Sequence, residues 1–311
     1  MNGFEKATSI VEKTTGIIEK ASTIPGKLFP YLGIKKDAVE SYKRDIMNSN
    51  LSPDHKAIAL RDLKKHMKYL KNQESIAVFA RLNANANTDF SENSKVDDDW
   101  LDRFMDSAKF VSKERVQLLW GRILAKEFEK PGSAPLNVIR VLSEITPELA
   151  TAFSVLSKMV VRLMQLSEKG KPMDLIPTIL VPYDPDDGYL RSKGLGLETL
   201  NELESLGLIS TEFLSGYSNG QFVSEHALLI IGRQLYYVES YPEGAFPVGK
   251  VLLTKTGYYF LDLVESGDID GYAEHVIKYL KRSKVVFKDN HRYIMIVEGD
   301  QFKIGYETED E

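Results

Sequence analysis

The sequence predicts an α+β protein, with an all-helical N-terminal and central region followed by a C-terminal mixed α/β domain of winged-helix-like pattern. Two observations predict it. Up to about residue 170, apolar residues recur at helical spacing between Ser, Thr, Asp and Pro punctuation; after Gly170 the chain breaks into short apolar and β-branched runs divided by Gly, Pro and Asp. A length of 311 residues with 43% apolar and 27% charged residues provides for more than one core, and excludes disordered, collagen-like and disulfide-stapled chains. The predicted divisions are 1–33, 34–90, 91–170 and 171–311.

The first division holds three successive heptads, FEKATSI, VEKTTGI and IEKASTI, starting at Phe4, Val11 and Ile18. At 100° per residue their apolar positions fall within an arc of roughly 120°, outside which lie Glu5/Glu12/Glu19 and Lys6/Lys13/Lys20. The arc needs a cover: the protein's own body, another subunit or a lipid surface. Pro25-Gly26 ends this helix, and Pro30 and Gly33 make a linker.

Residues from about 34 to 86 read as two helices parted near Asn48-Ser49-Asn50, the second with Ser52 as N-cap and Pro53 at its first position. Leu60, Leu63, Met67 and Leu70 make its core stripe, and Arg61, Lys64, Lys65, Lys68 and Lys71 a basic stripe beside it. The window 34–71 carries ten Lys/Arg against five acids; 89–106 carries seven acids against two bases. The expectation is that these opposite charges answer each other within the chain or across a subunit boundary, with nucleic-acid binding by the basic stripe as the alternative.

Further helices are expected from Asp98 or Asp99 to about Phe110, from a Ser112 cap to about Glu129, after the Pro131-Gly132-Ser133 break, and from Thr146-Pro147-Glu148 to about Ser167. On the helix 113–128, Val116, Leu119, Trp120, Ile123 and Leu124 define an apolar face, and Glu127 projects about 20° from Val116. A carboxylate in a core must find partners. Two are within reach: Arg103, beside the stripe Trp100/Phe104/Ala108, as the expected ion pair, and the backbone N–H groups of the 132–136 turn. Trp100 and Trp120 read as core anchors.

Beyond Gly170 the expectation is a strand in 175–182, a helix over 197–206 ended by Gly207, and a hairpin 227–240 turning at Gly232-Arg233. A Thr254-capped helix, a helix over 270–282 and strands near 284–288, 292–297 and 302–306 follow. The 197–206 helix carries Glu198, Glu202 and Glu204 with no Lys or Arg, so phosphate would repel it, and the module reads as a protein-interaction or structural element. The helix ending in Lys278, Lys281, Arg282 and Lys284 suits polyanion contact better, a solvated face being its plainer reading.

Catalytic constellations are not found. Zero cysteines exclude disulfides, thiolate metal sites and cysteine nucleophiles. Gly194-Leu195-Gly196 lacks the third glycine of a dinucleotide loop, and Asp184, Asp186 and Asp187 lack calcium-loop spacing. Asp97–Asp99 suit a helix N-terminus, and the five histidines have no metal-ligand spacing. No cofactor and no metal are expected. The net charge of −5 argues against a globally basic nucleic-acid binder but leaves local patches open. No run approaches the roughly 18 apolar residues of a membrane span, and the N-terminus lacks signal-peptide order, so a cytoplasmic protein is expected.

The run Asp97-Asp98-Asp99-Trp100-Leu101-Asp102-Arg103-Phe104, then Gln117-Leu118-Leu119-Trp120-Gly121-Arg122-Ile123-Leu124-Ala125-Lys126-Glu127, then Pro131-Gly132-Ser133, resembles the hallmark of the bacterial family catalogued as domain of unknown function 2806. The likeness is best over about 70–160 and continues through Leu203-Glu204-Ser205-Leu206-Gly207-Leu208-Ile209 and Leu253-Thr254-Lys255-Thr256-Gly257. The central helical layout is also similar to that of the abortive-infection alpha proteins, which implies a role in bacteriophage defence. The resulting expectation is a non-enzymatic protein working through self-association or a protein partner. Nucleic acid through the basic helix 56–71 is the alternative partner, membrane contact through residues 4–24 a further one, and an enzyme with a site hidden from the linear sequence the third class.

Overall fold

Ser52 and Pro53 start the longest helix of the chain as their residue types favour: the Ser52 hydroxyl accepts from the His55 N–H at 3.3 Å, and Pro53 opens α2 (Pro53–Asn83) where no N–H is needed. The computed structural model describes residues 26–31, 36–166, 172–175, 179–180, 188–215, 217–219, 227–232, 234–241, 246–261, 263–264, 267–287, 293–298 and 301–306. The three heptads, Asp184, Asp186, Asp187, His226 and His291 lie outside them. The chain divides into two units, 1–143 and 144–311.

In the first unit α2 is preceded by α1 (Lys36–Asn48) and followed by α3 (Asp98–Ala108), α4 (Glu114–Glu129) and α5 (Asn137–Glu144). Asp97 caps α3, its carboxylate accepting from the Trp100 N–H at 2.8 Å. Ser112 does not cap α4. Its N-cap is Lys113, which makes no side-chain capping bond; the Lys113 carbonyl already accepts from the N–H groups of Val116 and Gln117 at 2.9 Å each. Lys27, in the Pro/Gly linker, donates from its backbone to the Phe90 carbonyl at 3.2 Å, and a Cβ at Gly26 would lie 2.1 Å from that oxygen.

Along α2 the surroundings change. From 53 to 71 no residue is fully buried, and Leu60, Leu63, Met67 and Leu70 are half-buried on the helix that α1 contacts. From Asn72 to Ala80 seven residues are buried, where α4 crosses. Gly121 makes the crossing close: a Cβ there would sit 2.4 Å from the Phe79 Cβ. Around it Trp100 stacks on Phe104 (4.9 Å, 16°), and Phe104 tilts against Trp120 (4.9 Å, 52°), all three buried as core anchors.

The second unit starts with α6 (Pro147–Lys158), capped by Thr146. The helix expected to continue to about Ser167 stops at Lys158, because Val160–Leu166 is a strand, β1. Sheet pairing on both of its edges outweighs helical periodicity, and the β-branched Val160-Val161 suits it. The remaining elements are β2 (Pro172–Leu175), β3 (Ile179–Leu180), α7 (Gly188–Ser192), α8 (Leu197–Ser205), β4 (Ile209–Thr211), β5 (Tyr217–Asn219), β6 (Ala227–Ile231), β7 (Gln234–Ser240), β8 (Phe246–Gly249) and β9 (Val251–Leu253). They are followed by α9 (Lys255–Leu261), α10 (Tyr272–Arg282), β10 (Val286–Phe287), β11 (Tyr293–Glu298) and β12 (Gln301–Tyr306).

The large sheet is antiparallel in the order β12-β11-β7-β6-β1-β3-β9-β4, with β2 also on β1 and β10 also on β7. The fold is therefore α+β, a helical N-terminal and central region followed by antiparallel strands with helices. The hairpin β6–β7 turns at Gly232, φ +58°. It lies inside the sheet, between β1 and β11, so it is not the wing of a helix–hairpin module; β4, which follows α8, pairs instead with β9. The two ends of the downstream motif meet there: the Thr254 N–H donates to the Leu208 carbonyl at 3.1 Å and the Thr254 hydroxyl to the Gly207 carbonyl at 2.6 Å.

Candidate functional site

Two features of the first unit bring polar chemistry together: the Glu127 turn and the basic face of α2. Glu127 is 1% exposed, as its helical angle requires, and its partners are the turn, not Arg103. Its carboxylate accepts from the Gly132 N–H at 2.5 Å, the Ala134 N–H at 2.8 Å and the Ser133 hydroxyl at 3.2 Å. Gly132 takes φ +79°, which lets neighbouring N–H groups converge on one anion; the anion here is the chain's own side chain. Pro131 belongs to the same turn. The expected Arg103–Glu127 ion pair does not form: Arg103 is exposed, the Glu127 oxygens being satisfied by backbone donors at a fixed distance along its own chain. Val116, expected on the apolar face, is also exposed. The Glu127 turn is a clamp between α4 and α5.

A second polar seam escaped the sequence reading. Asn72 Nδ2 donates to the Lys109 carbonyl at 2.8 Å, Gln73 Nε2 to the Met105 carbonyl at 2.8 Å, and Gln117 Nε2 to the Val111 carbonyl at 2.8 Å. These three buried amides take up carbonyls at and just beyond the C-terminal end of α3, where few backbone N–H groups remain to pair with them; the Met105 carbonyl also accepts from the Lys109 N–H at 3.2 Å. Adjacent amides at the start of the buried half of α2 are the sequence signal that could have found them.

The basic face is the other feature. At 100° per residue Arg61, Lys64, Lys65, Lys68 and Lys71 occupy an arc of roughly 120° on α2. All five are exposed, and none forms an ion pair among the described residues. The expected neutralisation by 89–106 of the same chain is therefore not what the described residues show. That acidic stretch has other partners. Lys27 Nζ meets Asp98 at 2.6 Å and the Val96 carbonyl at 2.5 Å, Lys109 pairs with Asp106, and the Tyr31 hydroxyl donates to Asp102 at 3.1 Å. Burial first, then the Asp102 and Asp106 charges, push the Tyr31 hydroxyl up to about 12.

In the second unit Lys278, Lys281, Arg282 and Lys284 are exposed at the end of α10, where cations meet the negative end of a helix dipole, and Glu274 shares a shallow groove with the first three. Among the described residues no group of three or more His, Asp or Glu side chains could hold a metal ion. No described helix is long and apolar enough to cross a membrane.

Comparison with curated proteins and with solved structures returns no match. A family model does match, and over residues 56–277 it takes in the basic face, the Glu127 turn and the Thr254 motif, more of the chain than the 70–160 stretch that carried the resemblance best. With well over half of its length so matched, the chain belongs to the family described as Protein of unknown function (DUF2806).

Proposed function

We propose that the protein is a non-enzymatic, cytoplasmic interaction protein whose basic α2 face binds the phosphate backbone of a nucleic acid. The observation that carries this reading is the uncompensated charge of the five exposed cations. Their i,i+3 and i,i+4 neighbours repel one another, by about 0.2–0.5 kcal/mol per pair on a helix surface, so a bound polyanion relieves a strain built into the free protein. Helix α2 rises about 1.5 Å per residue, which spreads the charges over about 15 Å. The end of α10 supports the reading less, because its cations share their groove with the acidic Glu274 and stand at the negative end of the helix dipole.

Fluorescence anisotropy with labelled duplex and single-stranded oligonucleotides over a KCl series tests the proposal. Binding should weaken with salt at a log–log slope near −0.9 per phosphate contact for duplex or −0.7 for single strands. It should vanish in the triple variant Lys64→Glu/Lys65→Glu/Lys68→Glu. No binding of either form at low salt, or undiminished binding by the variant, would reject it.

The defence role rests on the likeness of the central helices to abortive-infection alpha proteins. It is tested by bacteriophage plating on cells producing the wild type or the triple variant; equal plating with and without the wild type counts against it.

A further inference from the structure

Next to the basic stripe lies an aromatic pair, the half-buried Tyr69 and the exposed Phe110. Phe110, two residues beyond the end of α3, is 63% exposed, and its ring meets Tyr69 of α2 edge to face at 5.2 Å and 72°. A single exposed ring is ordinary on a protein surface; what sets Phe110 apart is that it stands on a second ring with cations beside both. Cations surround the pair. Lys65 Nζ lies 5.8 Å from the Tyr69 ring centre, and Lys109 Nζ lies 5.9 Å from it and 5.1 Å from that of Phe110. The His66 ring stands edge to face with Tyr69 at 6.4 Å, its Nδ1 2.9 Å from the Asp62 carbonyl.

The ring is held in place. Asn72, one residue after the last cation of the stripe, donates to the carbonyl of Lys109 at 2.8 Å and so pins the backbone that carries Phe110. Lys109 is itself paired with the exposed Asp106, so its charge is already answered and it serves the aromatic pair; the cations left for a ligand are Lys65, Lys68 and the rest of the stripe. An aromatic face beside unanswered cations is the arrangement that takes a nucleobase by stacking and its phosphate by charge. A duplex offers no free base face to such a ring, whereas a single strand does.

We infer that Phe110 and Tyr69, with Lys65 and Lys68, form a base-stacking platform for single-stranded nucleic acid. The inference rests on the nucleic-acid reading of the α2 face and names the form of nucleic acid that face takes. Phe110 contacts the ligand directly, Tyr69 backs it, and Asn72 holds the backbone that carries Phe110.

The test measures wild type, Phe110→Ala and Phe110→Trp with labelled oligodeoxythymidine, a labelled random-sequence single strand and a labelled duplex of equal length. The wild type should prefer single strands. Phe110→Ala should weaken single-strand binding roughly 5- to 150-fold, leave duplex affinity unchanged and keep the same salt slope. Phe110→Trp should restore binding, and its added indole fluorescence should be quenched by the single strand and not by the duplex. As Phe110 is exposed, a melting temperature equal to wild type guards against misfolding. Equal loss for both forms, or no loss at all, overturns the platform while leaving the basic face in place. Absence of any salt-dependent binding overturns both. A variant that binds nucleic acid as wild type but loses an oligomer by light scattering would show that Phe110 meets a second copy of the chain instead.

Discussion

The carboxylate of Glu127 and the backbone N–H of Gly132 stand 2.5 Å apart, a contact that closes α4 onto the turn leading to α5. Because Glu127 is buried, truncating it strands the Gly132 and Ala134 N–H groups together. Glu127→Ala should cost about 2–4 kcal/mol in urea unfolding. Glu127→Gln keeps one acceptor oxygen but sets its NH₂ against a donor, so it should recover half of that loss at most. Arg103→Ala should stay within about 0.5 kcal/mol of wild type, since the exposed guanidinium does not hold the carboxylate. A loss for Arg103→Ala as large as that for Glu127→Ala would restore the ion pair to the account.

Gly121 sets two effects against each other. Alanine is the better helix former by about 1 kcal/mol, but its Cβ would lie 2.4 Å from the Phe79 Cβ and 3.0 Å from the Ala80 backbone nitrogen, atoms that cannot swing aside. Separating α2 from α4 then costs about 1–3 kcal/mol or more. Gly121→Ala should therefore lower the melting temperature; a rise would mean that the helices do not cross at this point.

Tyr31 links stability to alkaline pH. Its hydroxyl is pushed from the ordinary value of 10.0 up to about 12, chiefly by burial and then by Asp102, so the folded state favours the neutral phenol. The contribution is fully present below pH 10 and is lost as pH rises towards 12, because only the unfolded chain ionises readily in that window. Absorbance titration of the phenolate should show a component near 12 that Tyr31→Phe removes. That variant should also lose less stability between pH 10 and 12 than wild type.

Local chemistry was legible wherever one element contained both partners of an interaction. Ser52, Thr146 and Thr254 cap helices as expected because a cap and its N–H lie within three residues, and Asp97 caps the helix whose start was expected at Asp98 or Asp99. The burial of Glu127 followed from its angle on one helix, although Arg103, a residue on another helix, was the wrong partner to expect. Ser112 looked like a cap by type alone, and the chain starts α4 one residue later without it.

By itself the sequence determined the α+β class, the helix starts at Ser52, Thr146 and Thr254, the burial of Trp100, Phe104, Trp120 and Glu127, and the basic arc on α2, because each depends on spacing along a few turns. The tertiary structure decided that Val160–Leu166 is a strand, since besides the nearby 172–175 it pairs with 179–180 on one edge and, along most of its length, with 227–231 on the other, more than sixty residues along the chain. It decided too that Asn72 reaches the Lys109 carbonyl and that Phe110 stands against Tyr69, separations of 37 and 41 residues that no local periodicity encodes. The acidic stretch 89–106 and the basic stretch 34–71 balance in number, yet charge counts carry no direction. Which carboxylate meets Lys27 or Tyr31 was set by the packing of α3 and by where the linker docks, whereas Lys109 meets Asp106 three residues back on the same turn; the packing leaves Arg61, Lys64, Lys65, Lys68 and Lys71 facing water.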